Sequence, residues 1–193
     1  YHPILPLLPE TEIIRQIKLN DALLKKFFGD KTFADTKIKL KLGATALETG
    51  KQIIFDKGNL IDAIIMSSAF PGVFPPIKYK GLHLVDGGLS DATPVEMVKN
   101  MGAEKIIAVD LFNFEIIKEK EYNIKQIMLR TYEIMACNLS KYKSSDYGEN
   151  IVVLYPKAGK RVETFNLHNA EKYIKSGEVE AQKHIKEILR LVK

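Results

Sequence analysis

Asp86, Gly87 and Gly88 follow a short apolar run, Gly81 to Val85, inside a stretch that reads SSAFPGVFPPIKYKGLHLVDGGLSDATPVEMVKNMGAEKIIAVDL from Ser67 to Leu111. A carboxylate with a reference pKa of about 3.9 is a poor base at neutral pH unless burial raises its basicity. Two glycines beside it permit backbone angles closed to other residues, and they let another loop approach with no Cβ in the way. The plain alternative is a turn, since Asp and Gly both favour turns.

Other reactive side chains are less well arranged. His83 and Asp86 lie three apart on an expected strand, hence on opposite faces, which argues against a His/Asp pair. Asp91 and Asp110 suggest a carboxylate metal site together with Asp86, yet Asp91 more simply precedes a helix and Asp110 more simply ends a strand. Ser67 and Ser68 sit at a helix end without a surrounding Gly-x-Ser-x-Gly, and His2, His168 and His184 show no partner pattern. The single cysteine, Cys137, excludes an intramolecular disulfide, and no Cys/His cluster has zinc spacing.

The elements that must position these groups follow from pattern. Residues 1–10, with Pro3, Pro6 and Pro9, form an irregular lead-in to a helix over Thr11–Phe28. Lys37–Glu48 alternates, with Ile38, Leu40, Leu42, Ala44 and Ala46 on one face, and predicts a half-buried strand. A turn at Thr49-Gly50-Lys51 leads to a second strand, Gln52–Phe55, and Asn59 is placed to cap a helix over Leu60–Ser68 that Pro71 stops. Gly81–Val85 is a short strand. Thr93-Pro94-Val95-Glu96 predicts a helix start with Thr93 as N-cap and Pro94 as first helical residue, and Gly102 suits the left-handed position beyond its end. Ile106–Leu111 has the pattern of a strand covered on both faces. A long helix striped by Ile124, Ile127, Met128, Ile134, Met135 and Leu139 follows, then a strand over Ile151–Tyr155 and a terminal helix striped by Ile185, Ile188, Leu189 and Val192.

Taken in order, these motifs resemble the patatin-like phospholipase family: a serine and alanine, the PGVFPP turn, the LVDGG strand end, a Pro-started helix and a GA…IAVD strand. Asp30-Lys31-Thr32-Phe33 and Ala44 to Gly50 also look like family segments, so the resemblance covers residues 28–111 well and the tail loosely. It implies a lipid acyl hydrolase acting on phospholipid or other acyl esters through a Ser/Asp dyad without histidine. Asp86 is then the aspartate, supported by Gly87 and Gly88. A serine hydroxyl is a weak nucleophile until something takes its proton, and that is the role implied for the carboxylate. The resemblance implies no cofactor and a substrate met at a lipid–water interface; no metal site is expected, and a cytoplasmic or peripheral-membrane setting is expected independently of the resemblance.

The chain departs from the family in what it lacks. Neither the glycine-rich oxyanion loop nor the Gly-x-Ser-x-Gly elbow occurs in the 193 residues, so the nucleophile is not in this chain. The expected fold is therefore an α/β three-layer sandwich with a mostly parallel central sheet, incomplete here. Residues 1–193 are expected to form a single domain lacking its N-terminal nucleophile and oxyanion-loop portion, inactive alone, with an exposed sheet edge where the missing part belongs. A start at Tyr1 without Met suggests a processed chain or a fragment. Ala46, where the family often has Asp, and Asp91-Ala92, where it has paired Asn, put substrate preference in doubt more than mechanism. The competing reading is a non-catalytic lipid-binding or interaction protein that kept the fold after losing its nucleophile.

Composition bounds these readings. With 46% hydrophobic and 27% charged residues the chain suits one soluble domain, and a net charge of +5 from scattered lysines is no nucleic-acid signature. No run of 18 apolar residues predicts a membrane span, and no secretory leader is recognised.

Overall fold

The computed structural model describes residues 22–112, 122–145, 147–157 and 170–193. The lead-in at 1–10, the first part of the helix expected from Thr11, and His2 and His168 lie outside them. The chain divides into two compact units, the first ending at Asp91 and the second beginning at Ala92.

The first unit opens on α1, residues 22–28, and a 3₁₀ turn, Phe33–Asp35, which Asp35 closes by accepting hydrogen bonds from the backbone and hydroxyl of Thr32. Strands β1 (Leu42–Ala46), β2 (Gln52–Phe55), β3 (Ile77–Tyr79) and β4 (Leu82–Asp86) form one sheet in the order β2-β1-β4-β3, and every pairing is antiparallel. Helix α2 (Leu60–Ser67) packs on β1 and β4. Asn59 caps it, its side chain accepting from the Asp62 amide at 3.2 Å. The core joins Phe33, Ala44, Ala46, Phe55, Leu60 and Leu84, and the Phe55 ring meets the edge of Tyr79.

In the second unit α3 (Val95–Lys99) leads to β5 (Ile106–Val109), α4 (Ile124–Ser144) crosses to β6 (Ile151–Leu154), and α5 (Ala170–Lys183) and α6 (Ile185–Val192) follow. β5 and β6 pair in parallel. Val95, Ile106 and Ala108 form one small core and Val152, Leu154 and Leu191 another.

An α/β fold is therefore present, but the larger sheet is antiparallel throughout and not mostly parallel as expected, and two of its three pairings are hairpins. β1 and β2 are joined by a short turn, and β3 and β4 by Lys80-Gly81, both at positive φ as a two-residue hairpin requires. The connection from β1 to β4 carries β2, α2 and β3 and still pairs the two strands antiparallel, while among the described strands only β5 and β6, joined across α4, are parallel.

Three further expectations change. The strand expected from Lys37 begins at Leu42, and Ile38 is 82% exposed. Thr93 does not cap α3: Pro94 takes the cap position, and the buried Thr93 hydroxyl has no hydrogen-bond partner. β5 is covered on one face only, with Ile106 and Ala108 buried while Ile107 and Val109 stay about half exposed. The α4 stripe is likewise open at Ile124 and Met135, and Ala136, Cys137 and Ser140 are its buried positions. Gly102 adopts the left-handed conformation, φ 92°, just past α3 as its position suggests.

Candidate functional site

Asp86 closes β4, directly opposite Ala44 of β1. β1 is buried on both faces, with Ala44 and Ala46 at 0% exposure and Thr45 at 5%, so the strand that carries the aspartate's neighbour cannot move without opening the core. The Asp86 amide donates to the Ala69 carbonyl at 3.0 Å, which ties the strand end to the connection leaving α2. There Val73 of the PGVFPP stretch is buried and Gly72 turns the chain at φ 80°.

The chain after Asp86 makes a 3₁₀ turn over Gly87–Leu89. The Asp86 carboxylate accepts the Gly88 amide at 2.7 Å, which fixes one oxygen toward the turn. Gly87 is required for a different reason: a Cβ there would lie 2.2 Å from the Gly43 carbonyl oxygen, inside any permissible contact. The Gly87 carbonyl collects the amides of Ser90 and Asp91. Thr45 donates its hydroxyl to the Asp86 carbonyl at 2.8 Å and also lies 2.9 Å from the Ser90 hydroxyl.

Burial pushes the Asp86 carboxyl above its ordinary 3.8, against the opposing pull of the Gly88 amide. No cation among the described residues contributes. A half-buried carboxylate with a raised proton affinity and one oxygen held by a backbone amide can accept a proton from a hydroxyl brought to its other oxygen.

The remaining candidates have other occupations. Ser67 donates to the Gly43 carbonyl at 2.7 Å and Ser68 to the Ile64 carbonyl at 2.6 Å. Ser67 thus supports the same Gly43 peptide against which Gly87 packs. His83 faces Glu48, with Nδ1 2.7 Å from its carboxylate and the backbone amide donating to it as well, and those hydrogen bonds hold Glu48 below its usual range. Asp110, fully buried in the second unit, accepts from the Phe112 amide at 2.8 Å and from the Ser140 hydroxyl. His184 lies beside the buried Glu180, which also accepts from the Tyr155 amide and Lys183. Among the described residues no group of three His, Cys, Asp or Glu side chains is disposed to hold a metal ion.

Sequence reasoning passed over Thr45, Ser90 and Gly43 as supports of Asp86. For Gly43 and Thr45 the only local signal is the small-residue run Gly43-Ala44-Thr45-Ala46, whose meaning depends on a partner 41 residues away.

An aspartate ending an antiparallel strand, followed by a glycine pressed against a neighbouring strand, defines an α/β protein with a built carboxylate site. Residues 6–99 match the family described as Patatin-like phospholipase, so the resemblance seen in the motifs stands over that segment. An uncharacterized NTE family protein of Mycobacterium bovis is 34% identical over 106 residues, covering 55% of this chain and 29% of its own length. The same figures hold for one from Mycobacterium tuberculosis. Lysophospholipase NTE1 of Lodderomyces elongisporus is 34% identical over 103 residues, 53% of this chain and 7% of that protein. The chain thus spans under a third of the mycobacterial relatives' length and a small fraction of the yeast protein's.

Proposed function

We propose that the protein is a lipid acyl hydrolase in which Asp86 is the base of a Ser/Asp dyad. The observation that carries this reading is the half-buried Asp86 carboxylate, raised in pKa by desolvation and held by Gly88 at the end of a rigid strand. The family match over residues 6–99 and the lysophospholipase name of the yeast relatives support an ester-linked lipid as substrate.

The serine oxygen attacks the acyl carbon while its proton passes to Asp86. The tetrahedral intermediate collapses, the leaving alcohol takes that proton, and an acyl-enzyme remains for water to hydrolyse by the same steps. The nucleophile and oxyanion donors belong to polypeptide outside these 193 residues, which complete the domain as a three-layer sandwich with a mostly parallel central sheet. The 193 residues alone are inactive. No cofactor takes part, and the enzyme works in the cytoplasm or peripherally at a membrane surface; no helix among the described residues is long and apolar enough to cross one.

The decisive variant is Asp86→Asn in the intact protein, assayed on a lysophospholipid and on a short-chain ester. Asn keeps an acceptor for Gly88 and removes a partly desolvated charge, so the fold is retained. Turnover falls by about 10²–10⁴-fold, the usual contribution of a general base. Undiminished turnover would remove Asp86 from the mechanism. The absence of any Gly-x-Ser-x-Gly in the 193 residues favours a second reading, a non-catalytic lipid-binding or interaction protein. An intact protein with no esterase activity and no such elbow preceding this segment in frame would establish it.

A further inference from the structure

The segment between the 3₁₀ turn at Phe33–Asp35 and β1 alternates cations with aliphatics: Lys37, Ile38, Lys39, Leu40 and Lys41. Such alternation usually buries one face of a strand. Here pairing with β2 begins only at Leu42, and Ile38 is 82% exposed and Leu40 39%. No acidic residue lies between Thr36 and Gly43. Among the described residues Lys37 and Lys39 form no ion pair, and Lys41 reaches Asp56 only at 3.9 Å.

We propose that Lys37–Lys41 docks the protein on an anionic lipid surface, with Ile38 entering the headgroup–acyl boundary and the long Lys37 and Lys39 side chains, which leave the backbone on the other side, reaching back to the headgroup phosphates. Cations flanking an exposed aliphatic are the composition of an interfacial anchor. A polypeptide partner fits less well, because the centres of protein interfaces are depleted in lysine. The segment runs directly into β1, whose Ala44 lies opposite Asp86. The six residue steps from Ile38 to Ala44 span at most about 20 Å of extended chain, so the anchor would bring the bilayer surface within about that distance of the strand position opposite the carboxylate. Docking rests on the proposed lipid hydrolysis only in taking the surface to be a bilayer.

The intact protein is co-sedimented with vesicles of phosphatidylcholine alone and of phosphatidylcholine mixed with phosphatidylglycerol. Binding is expected to the mixed vesicles and to weaken with added salt. Lys37→Gln and Lys39→Gln each weaken it about fivefold, Ile38→Asp abolishes it, and Lys105→Gln, an exposed lysine of the second unit, leaves it unchanged. Unaltered melting temperatures confirm that the variants fold. Equal binding to both vesicle types, no binding to either, or variants that bind like the parent protein overturn the proposal. A change of oligomeric state in Ile38→Asp with vesicle binding intact also overturns it, and marks the segment as a polypeptide contact. Sedimentation needs no turnover, so bound but inactive protein counts against the hydrolase reading alone. Hydrolysis of a soluble ester without vesicle binding counts against docking alone.

Discussion

The sheet around Asp86 and the sheet beyond Ala92 bury their apolar residues to different degrees. In the first, Ala44, Ala46, Leu84 and Val85 are at 0–1% exposure, and two hairpins join the four strands in pairs. In the second, β5 alternates between buried Ile106 and Ala108 and open Ile107 and Val109, and α4 leaves Ile124 and Met135 exposed. Polar ties accompany the small cores there: Asp110 with Ser140, and Glu180 with Tyr155 and Lys183. A four-stranded antiparallel sheet buries the strands that meet at Asp86, whereas a two-stranded parallel pair leaves apolar area uncovered. The candidate carboxylate therefore sits on the better-packed part of the chain, which suits a group that must be held in position.

Three substitutions test this contrast. Gly87→Ala should cost most, about 3 kcal/mol, because its Cβ meets the Gly43 carbonyl oxygen at 2.2 Å and the strand must shift. Urea unfolding measures the loss, and a near-neutral result would mean that β1 yields despite its packing. Ser140→Ala should cost about 2 kcal/mol, because it deprives the buried Asp110 of a donor. A cost within experimental error would show that polar ties do not hold the second unit. Ile107→Ser should change stability least, by about 0.5 kcal/mol or less, since the side chain is already half exposed. A cost as large as that of Gly87→Ala would reveal a partner covering β5 and erase the difference between the two sheets.

What could be read from sequence follows the range of the interactions. The strand at Gln52–Phe55, the Asn59 cap, the strand ending at Asp86 and the left-handed Gly102 all depend on neighbours a few residues away. β3 was missed because Pro75-Pro76 punctuate its start and only three residues pair. Thr93 carries a strong capping signal, but Pro94 itself takes the cap position. Asp86 was found by its motif. The reason Gly87 must lack a side chain, the Thr45 and Ser90 hydroxyls around the turn, and the burial that raises the Asp86 pKa all involve residues more than 20 positions apart or their combined packing. Periodicity carries no trace of such contacts.

The central claim is that Asp86 works as an ionised, partly desolvated base. The most direct test is kcat/KM of the intact protein on an uncharged short-chain ester across the acid range. Only the carboxylate form accepts the serine proton, so activity should fall with acidification along a limb whose midpoint lies above 3.8. A profile that stays flat through that region, or a limb centred at or below 3.8, would contradict the account.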